Sequence, residues 1–428
     1  MNGTEKLKKL LRAALFICIL LSAEFAARYA MSDDRYAVSR FMLHEMYTGE
    51  EDIDALFIGA SHVQLAFDTG LLDELLDGET FNAGSSMQNL GTSYALLREI
   101  GAHHRLKRVY VDLDPSMLLS DDVSLESIFA ISDYMRPSFR KLGYLLDVTP
   151  EGNLMNTLMP FGKGRSYRKE PAAVLENLRY KLSGDYLHYR EPDGSYAGKG
   201  YIASRVRLPG DSFGTGGSLS PLSGRITERN LAYLEKIIRY CRKEGAELSF
   251  VVVPMSDFLL LGEGNYDSYA AELREALAGS GVPLYDFNLM KPEYLDLREQ
   301  RYYSDMEHLN RGGAERFAAA FAALVRGDAP AEDMFFGSYG EKIQEETENG
   351  DQSYYGVALQ SEEHGFRLTP VAACTEEERA RIRYRVRYDA EGDYITAELD
   401  GTILGESFVG AEEISGENRF LGEEGAAP

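Results

Sequence analysis

Apolar and polar positions change rhythm along the chain, and each change predicts an element. Ile53 to Ile58 is a mostly apolar run that reads as a buried parallel strand, although periodicity alone does not separate it from a buried helix. Thr80 to Ala83, Arg108 to Leu113, Glu247 to Val253 and Val282 to Asp286 are further strands of the same kind. Between them apolar residues recur at helical spacing. Thr69 to Leu76 is one such helix, and Gln88 to Gly101 another, with Leu90, Tyr94, Leu97 and Ile100 on one face. Ile226 to Lys243 is a long amphipathic helix; Tyr269, Leu273 and Leu277 mark the next, and Phe317, Phe321 and Leu324 the last. Strands alternating with helices predict an α/β fold, a parallel sheet sandwiched by helices with right-handed crossovers.

The pattern breaks where this alternation stops. Residues 116–224 are too long for a structureless loop and read as an insertion packed over the strand ends, with helices near Leu125 to Tyr134 and Ala172 to Leu182. Residues 31–52 read as a linker with a short helix, and the acid-rich 327–352 as a linker or solvated helix. From Arg381 to Tyr388 the period becomes two. Asp400-Gly401 between two short runs signals a type I′ hairpin. Residues 353–418 are therefore expected to form a small antiparallel β domain, and 419–428 a disordered tail. The first thirty residues carry Lys6, Lys8, Lys9 and Arg12, then the apolar run Ala13 to Ala23, with no A-x-A cleavage site between Ser22 and Met31. They predict an uncleaved signal anchor, basic end inside, with the rest of the chain outside the cytoplasm.

Composition narrows the classes. A net charge of -24 over 428 residues argues against nucleic acid as a partner, because phosphates need basic patches. Cys18, Cys241 and Cys374 show no metal-ligand spacing, and only the last two could pair outside the anchor. With no Trp present, any sugar-stacking surface has to use Tyr or Phe. The sequence holds no phosphate loop, dinucleotide fingerprint or zinc pattern, so no cofactor or metal is expected.

Two stretches carry candidate chemistry. Gly59-Ala60-Ser61 ends the first strand at its carboxyl end, the usual ligand side of an open α/β sheet. A serine there suits a nucleophile; it is also an ordinary helix N-cap. Near the end of the α/β region, Asp305 and His308 stand three apart before a helix that Asn310 can cap. That spacing lets the carboxylate accept from Nδ1 and leaves Nε2 for Ser61. His62 either touches substrate or merely begins the following helix, and the second reading is favoured.

A GxS turn on the first strand, an Asn-Ala-Gly turn after the second, and DxxHLN-x-x-GA before the last helix resemble the SGNH/GDSL hydrolase superfamily. They resemble more narrowly its membrane-anchored envelope branch. The resemblance covers about residues 53–326. It implies a flavodoxin-like sheet, a Ser61–His308–Asp305 triad, and an oxyanion hole drawing on Ser61 and Gly84 amides with help from Asn82. Ser86, Gln88 and Asn89 are further candidates for that help. The chain departs from the family in reading Asp112-Leu113-Asp114-Pro115 where an oxyanion asparagine usually stands, and GAS for GDS. The function implied is hydrolysis or transfer of O-acyl groups, acetyl foremost, on a cell-envelope polysaccharide or other O-acylated glycan. A membrane-bound acyl-donor protein is a candidate partner. Lys199, Tyr201 and Arg205 in the insertion are candidates for substrate contact. The lost asparagine and the extra domains also allow a non-catalytic envelope scaffold, and a soluble esterase or lipase is a third reading.

Overall fold

The computed structural model describes residues 3–348 except 33, 36, 159–169, 192–193, 209–217, 220–221 and 264. Beyond these it describes only strand residues between 357 and 413. The chain opens on helix α1 (Gly3–Met31). Within it Glu5–Ala27, 23 residues, is long and apolar enough to cross a membrane, and none of that stretch is buried by the rest of the protein. At ~1.5 Å per residue this spans roughly 35 Å, against ~30 Å of hydrocarbon.

Five strands form the central sheet: β1 (Ile53–Ile58), β2 (Thr80–Asn82), β3 (Leu106–Asp112), β4 (Glu247–Val252) and β5 (Leu284–Asp286). Their order is β2-β1-β3-β4-β5 and every pairing is parallel. The register sets Leu56 between Phe81 and Val109, and Val111 beside Phe250. β1 has β2 on one side and β3 on the other. The crevice above their carboxyl ends is thus the topological switch point where open α/β sheets hold ligands.

The helices around this sheet are α2 (Val38–Thr48), α3 (Ser61–Ala66), α4 (Thr69–Leu76), α5 (Leu90–Ile100), α6 (Glu228–Glu244), α7 (Tyr266–Leu277), α8 (Arg311–Arg326) and α9 (Tyr339–Glu348). Strand alternation sorts them into two layers. Leu56, Ile58, Val109, Val111 and Phe250 share a core with residues of α2, α5, α6 and α7. Ala55, Phe57, Tyr110 and Val251 share the other with α3, α4 and α8. Local chemistry sets the helix ends: Asp68 caps α4, Asn89 caps α5, Thr227 caps α6 and Asn310 caps α8. α6 and α8 stop at Gly245 and Gly327, both in the left-handed region.

The observed architecture is the α/β sandwich read from the sequence, with two boundary corrections. The short helix expected within 31–52 is α2, but it packs into the core rather than linking, with Phe41, Met42, Leu43 and Met46 each at most 1% exposed. The expected acidic linker at 327–352 contains α9. There Ile343 is fully buried, and Lys342 Nζ makes a buried ion pair with Asp257 Oδ1 at 2.8 Å while also donating to the Asn288 carbonyl. The acids of α9 hid a helix that closes the core.

The insertion also lies differently from expectation. Its helices at Leu125–Ser132 and Phe139–Val148 bury Ile128, Ile131, Tyr144 and Leu145 in the core layer of α2 and α5, rather than sitting over the strand ends. Its hairpin, Tyr196–Gly198 with Tyr201–Ile202, covers the free edge of β2, where the Lys199 carbonyl accepts from Asn82 N–H. After residue 356, two antiparallel sheets are described. Val357–Glu362, Gly365–Pro370 and Thr402–Leu404 form one; Arg383–Arg387, Ile395–Glu398 and Gly410–Glu413 form the other, joined by Ser218–Leu219 of the insertion. The runs either side of Asp400-Gly401 therefore pair into different sheets and make no hairpin with each other. Cys374 and the tail 419–428 lie outside the described residues.

Replacing Lys342 with Ala leaves the Asp257 carboxylate without its buried ammonium. Loss of one partner of a buried pair typically costs ~3–5 kcal/mol. Urea denaturation of Lys342→Ala is expected to show that loss with an unchanged slope, whereas a change within ~0.5 kcal/mol would make α9 an appendage.

Candidate active site

β1 ends in Gly59 and Ala60, and Ser61 opens α3. A side chain at Gly59 would place its Cβ 2.5 Å from both Asp112 Cβ and Val63 Cγ2, so only glycine lets the turn pass this close to the end of β3. Ala60, the residue before the helix, gives no side-chain cap. On the far side of the chain the bridge between Tyr303 and Leu309, with Ser304 N–H donating to the His308 carbonyl, makes a tight loop before α8. Asn310 braces it by donating to the carbonyls of Arg301 and Tyr303. Ser256, in the loop after β4, donates its hydroxyl to the Met306 carbonyl. The loop is thereby tied to the sheet.

These elements bring the expected residues together. Ser61 Oγ lies 2.7 Å from His308 Nε2. His308 Nδ1 lies 2.9 Å from each oxygen of Asp305. Asp305 Oδ1 also accepts the backbone N–H groups of Glu307 and His308. Desolvation alone would raise the Asp305 pKa, but His308 and these amides hold it below the ordinary carboxylate range. A carboxylate that stays ionised fixes the imidazole with its proton on Nδ1 and its lone pair toward Ser61.

The oxyanion expectation needs correction. Gly84 N–H already donates to Asn82 Oδ1 at 2.9 Å, and a Cβ there would sit 2.6 Å from Gln64 N. Asn82 is fully buried and donates to the carbonyls of Val63 and Phe67. Both residues therefore clamp α3 onto the sheet. Gln88 is likewise engaged with Ser85 and Ser93, and Asn89 caps α5. Ser86 is exposed.

The substrate candidates separate too. Lys199 is locked by Asp73 and Glu79 beside the start of β2, the opposite end of the sheet from Ser61. Tyr201 is 1% exposed and belongs to the core. Arg205 alone keeps an open position. It is exposed, in a segment held beside the histidine loop by Arg311 N–H on the Ser204 carbonyl and Leu208 N–H on the Tyr303 carbonyl.

Sequence reasoning undervalued His62. Its ring is buried and stacks on His308, centroids 4.7 Å apart at 24°. Its Nδ1 lies 3.1 Å from Asp114 Oδ2. Burial disfavours the charged ring, yet Asp114 and Asp112 outweigh it and raise the His62 pKa to about 9. Asp114 is pushed up by burial and pulled below its usual value by the His62 charge and by hydrogen bonds from Ser116. Asp112, with Oδ2 unpartnered, is raised by burial and by Asp114. The signal was the Asp-Leu-Asp-Pro turn itself: two acids at a buried strand end require a cation. His62, Glu307 and His308 each place one possible ligand atom within 4.8 Å of the others. With Asp305 holding His308 Nδ1, a cation there would compete with Ser61 for His308 Nε2.

No family model matches the chain, and no curated protein does. Among solved structures it is similar to a protein provisionally described as a platelet activating factor from Streptococcus pneumonia. The identity is 12% and the TM-score 0.33, over 73% of this chain and 97% of that one. It is also similar to a protein provisionally described as an SGNH hydrolase from Slackia heliotrinireducens. There the identity is 12% and the TM-score 0.29, over 64% of this chain and all of that one. Both likenesses are remote; the architecture stands on its own strand order and layering.

Glu263 supplies a test of this buried charge. Its Oε2 has no partner, and burial, then Asp114 and Glu307, raise its pKa to about 8. An acid raised on folding contributes stability below its unfolded value, and loses it as pH rises through the folded one. Melting temperature should fall between about pH 5 and about pH 8.5. The fall should be smaller in Glu263→Gln; parallel curves would mean that Glu263 keeps an ordinary pKa.

Proposed function

We propose that the protein is a Ser-His-Asp acyl-transfer enzyme that hydrolyses or transfers O-acyl groups on a cell-envelope polysaccharide. The observation that carries this reading is the 2.7 Å contact of Ser61 Oγ with His308 Nε2, made while Asp305 holds Nδ1. In this reading His308 takes the Ser61 proton as Oγ attacks the ester carbonyl. It then returns a proton to the leaving sugar oxygen. Water or a second hydroxyl next attacks the acyl-serine, again deprotonated by His308, and the serine is restored. Hydrolysis and transfer differ only in that last acceptor. The Ser61 amide, at the uncapped start of α3, is the oxyanion donor this reading assigns. The His62 imidazolium stacked on His308 adds positive charge beside the position where negative charge develops.

The polysaccharide part rests on placement. Among the described residues one N-terminal helix is long and apolar enough to span a membrane, and Lys6, Lys8, Lys9 and Arg12 crowd its first turns; by the positive-inside rule this supports an extracytoplasmic position for the remaining chain. The exposed Arg205 beside the histidine loop suits a polar substrate better than a lipid tail. The departure from a standard oxyanion hole favours, as second reading, a scaffold that keeps the fold without turnover.

Fluorophosphonate labelling of the purified chain decides between them. Labelling is expected in wild type and absent in Ser61→Ala and His308→Ala. In Asp305→Asn it should slow by roughly 1000-fold or more, because the imidazole loses its fixed tautomer. Folded wild type that stays unlabelled by probes of several sizes would favour the scaffold.

A further inference from the structure

A cavity of about 340 Å³ opens at the foot of α1, and Ser61, Asp305 and His308 are not among its lining residues. Phe25 and Tyr29 of α1 form one wall. Arg40 and His44 of α2, Arg136, and the rings of Tyr186 and Tyr189 form much of the remainder. Its volume lies in the range of small-ligand sites, which start near ~300 Å³.

Arg40 makes this cavity unusual. It is 6% exposed, and its guanidinium is stacked between Tyr186 and Tyr189, with Cζ 3.8 and 4.1 Å from the ring centroids. Nη2 donates to the Tyr186 carbonyl at 2.7 Å, and Nη1 is buried with no hydrogen-bond partner. A guanidinium is always charged, and a charge removed from water needs an anion. The carboxylates at the wall are Asp34 and Asp133. Asp34 is taken by Lys181 and the Tyr134 hydroxyl. Among the described residues no carboxylate is in ion-pair contact with Arg40. The second guanidinium, Arg136, lies over the Tyr47 ring, 4.2 Å from its centroid. The His44 ring stacks on Tyr189; burial and then the two arginines push its pKa down, as a local excess of positive charge requires.

We propose that this cavity binds the phosphate group of an anionic membrane lipid, with Arg40 Nη1 and Arg136 as its donors. The phosphate class follows from two guanidiniums facing one aromatic-walled space, since a guanidinium fork matches phosphate oxygens. The lipid source follows from position and rests on the anchor reading. Phe25 lies within the apolar span Glu5–Ala27 and Tyr29 half a turn past it, so the cavity straddles the level where headgroups sit. A lipid phosphate bound there would fix how far the catalytic domain stands from the bilayer.

The test uses the full chain in detergent, with dioctanoyl phosphatidic acid, dioctanoylglycerol and inorganic phosphate as probes, read by calorimetry and melting temperature. Phosphatidic acid is expected to bind and to raise the melting temperature. Dioctanoylglycerol should do neither, and Arg136→Ala, an exposed position that tolerates change, should weaken binding at least tenfold. Arg40→Met should abolish it while folding without ligand. No binding of phosphatidic acid, or undiminished binding in both variants, overturns the site. Inorganic phosphate binding as tightly as phosphatidic acid overturns the lipid source and leaves a soluble phosphate ligand. N-terminal sequencing of membrane-extracted chain reports separately on the anchor. Fluorophosphonate labelling of the same samples reports separately on Ser61.

Discussion

The hydrogen bond from Ser61 to His308 joins residues 247 positions apart, and the aromatic layer beneath it makes that contact possible. Phe57 of β1 stacks on Phe67 with centroids 4.0 Å apart, and both meet Phe321 of α8 edge-on. Phe67 also meets Phe317, which in turn packs against Phe287 at the end of β5. Strand β1 carries the serine at its end, and α8 begins just past the histidine. Rings that cannot be compressed set the distance between those two elements. A 2.7 Å contact between remote segments is thus a consequence of core packing, not of either loop alone.

The charge arrangement under the site follows from the same close packing. Gly59 lets β1 turn against Asp112, and that approach leaves no water to solvate two carboxylates at the end of β3. His62, the residue after the serine, answers them. The acids fix the charge on His62, and the His62 ring supports one face of His308. His308 is therefore held by Asp305 in its plane and by the His62 ring on its face. An asparagine at the end of β3 would leave the buried His62 proton without its anion, so the departure from the family pattern and the identity of residue 62 belong to one device.

Much of this was legible in the sequence. The five strands announced themselves as short apolar runs, and Asp-x-x-His before an Asn-capped helix singled out Asp305 and His308, which the fold brings beside Ser61. What was illegible depended on long-range placement. Helices at Val38–Thr48 and Tyr339–Glu348 were within the expectation, but their polar residues hid that each packs into the core against elements distant in sequence. Lys199 looked free in a Gly-rich loop because nothing local says that the loop folds along β2, where Asp73 and Glu79 wait. Gly84 was assigned by family position, and Asn82 as a nearby helper. The Asn82 amide is spent on the carbonyls of Val63 and Phe67, and the Gly84 N–H on Asn82 itself while its carbonyl accepts from Gln64, because a short helix that starts without a cap side chain has to be held by its neighbours. Asp400-Gly401 carried a strong local turn signal, but strand partners are chosen by the sheets on either side.

The junction of α1 with the rest of the chain bears on whether the N-terminal helix is kept. Lys181 is buried, paired with Asp34, and donates to the carbonyls of Tyr29 and Ser32. Asn177 donates to the carbonyls of Ala30 and Ser32. These partners come from the last turn of α1 and the residues just after it. Cutting near residue 30 would strip acceptors from a buried ammonium and open the Arg40 cavity along its α1 wall. Helix 171–181, read from the sequence as part of a substrate-selecting insertion, instead acts as a bracket that fastens α1 to the domain. The insertion thus divides its work: one end grips α1, and the other, at Ser204 to Leu208, runs beside the histidine loop.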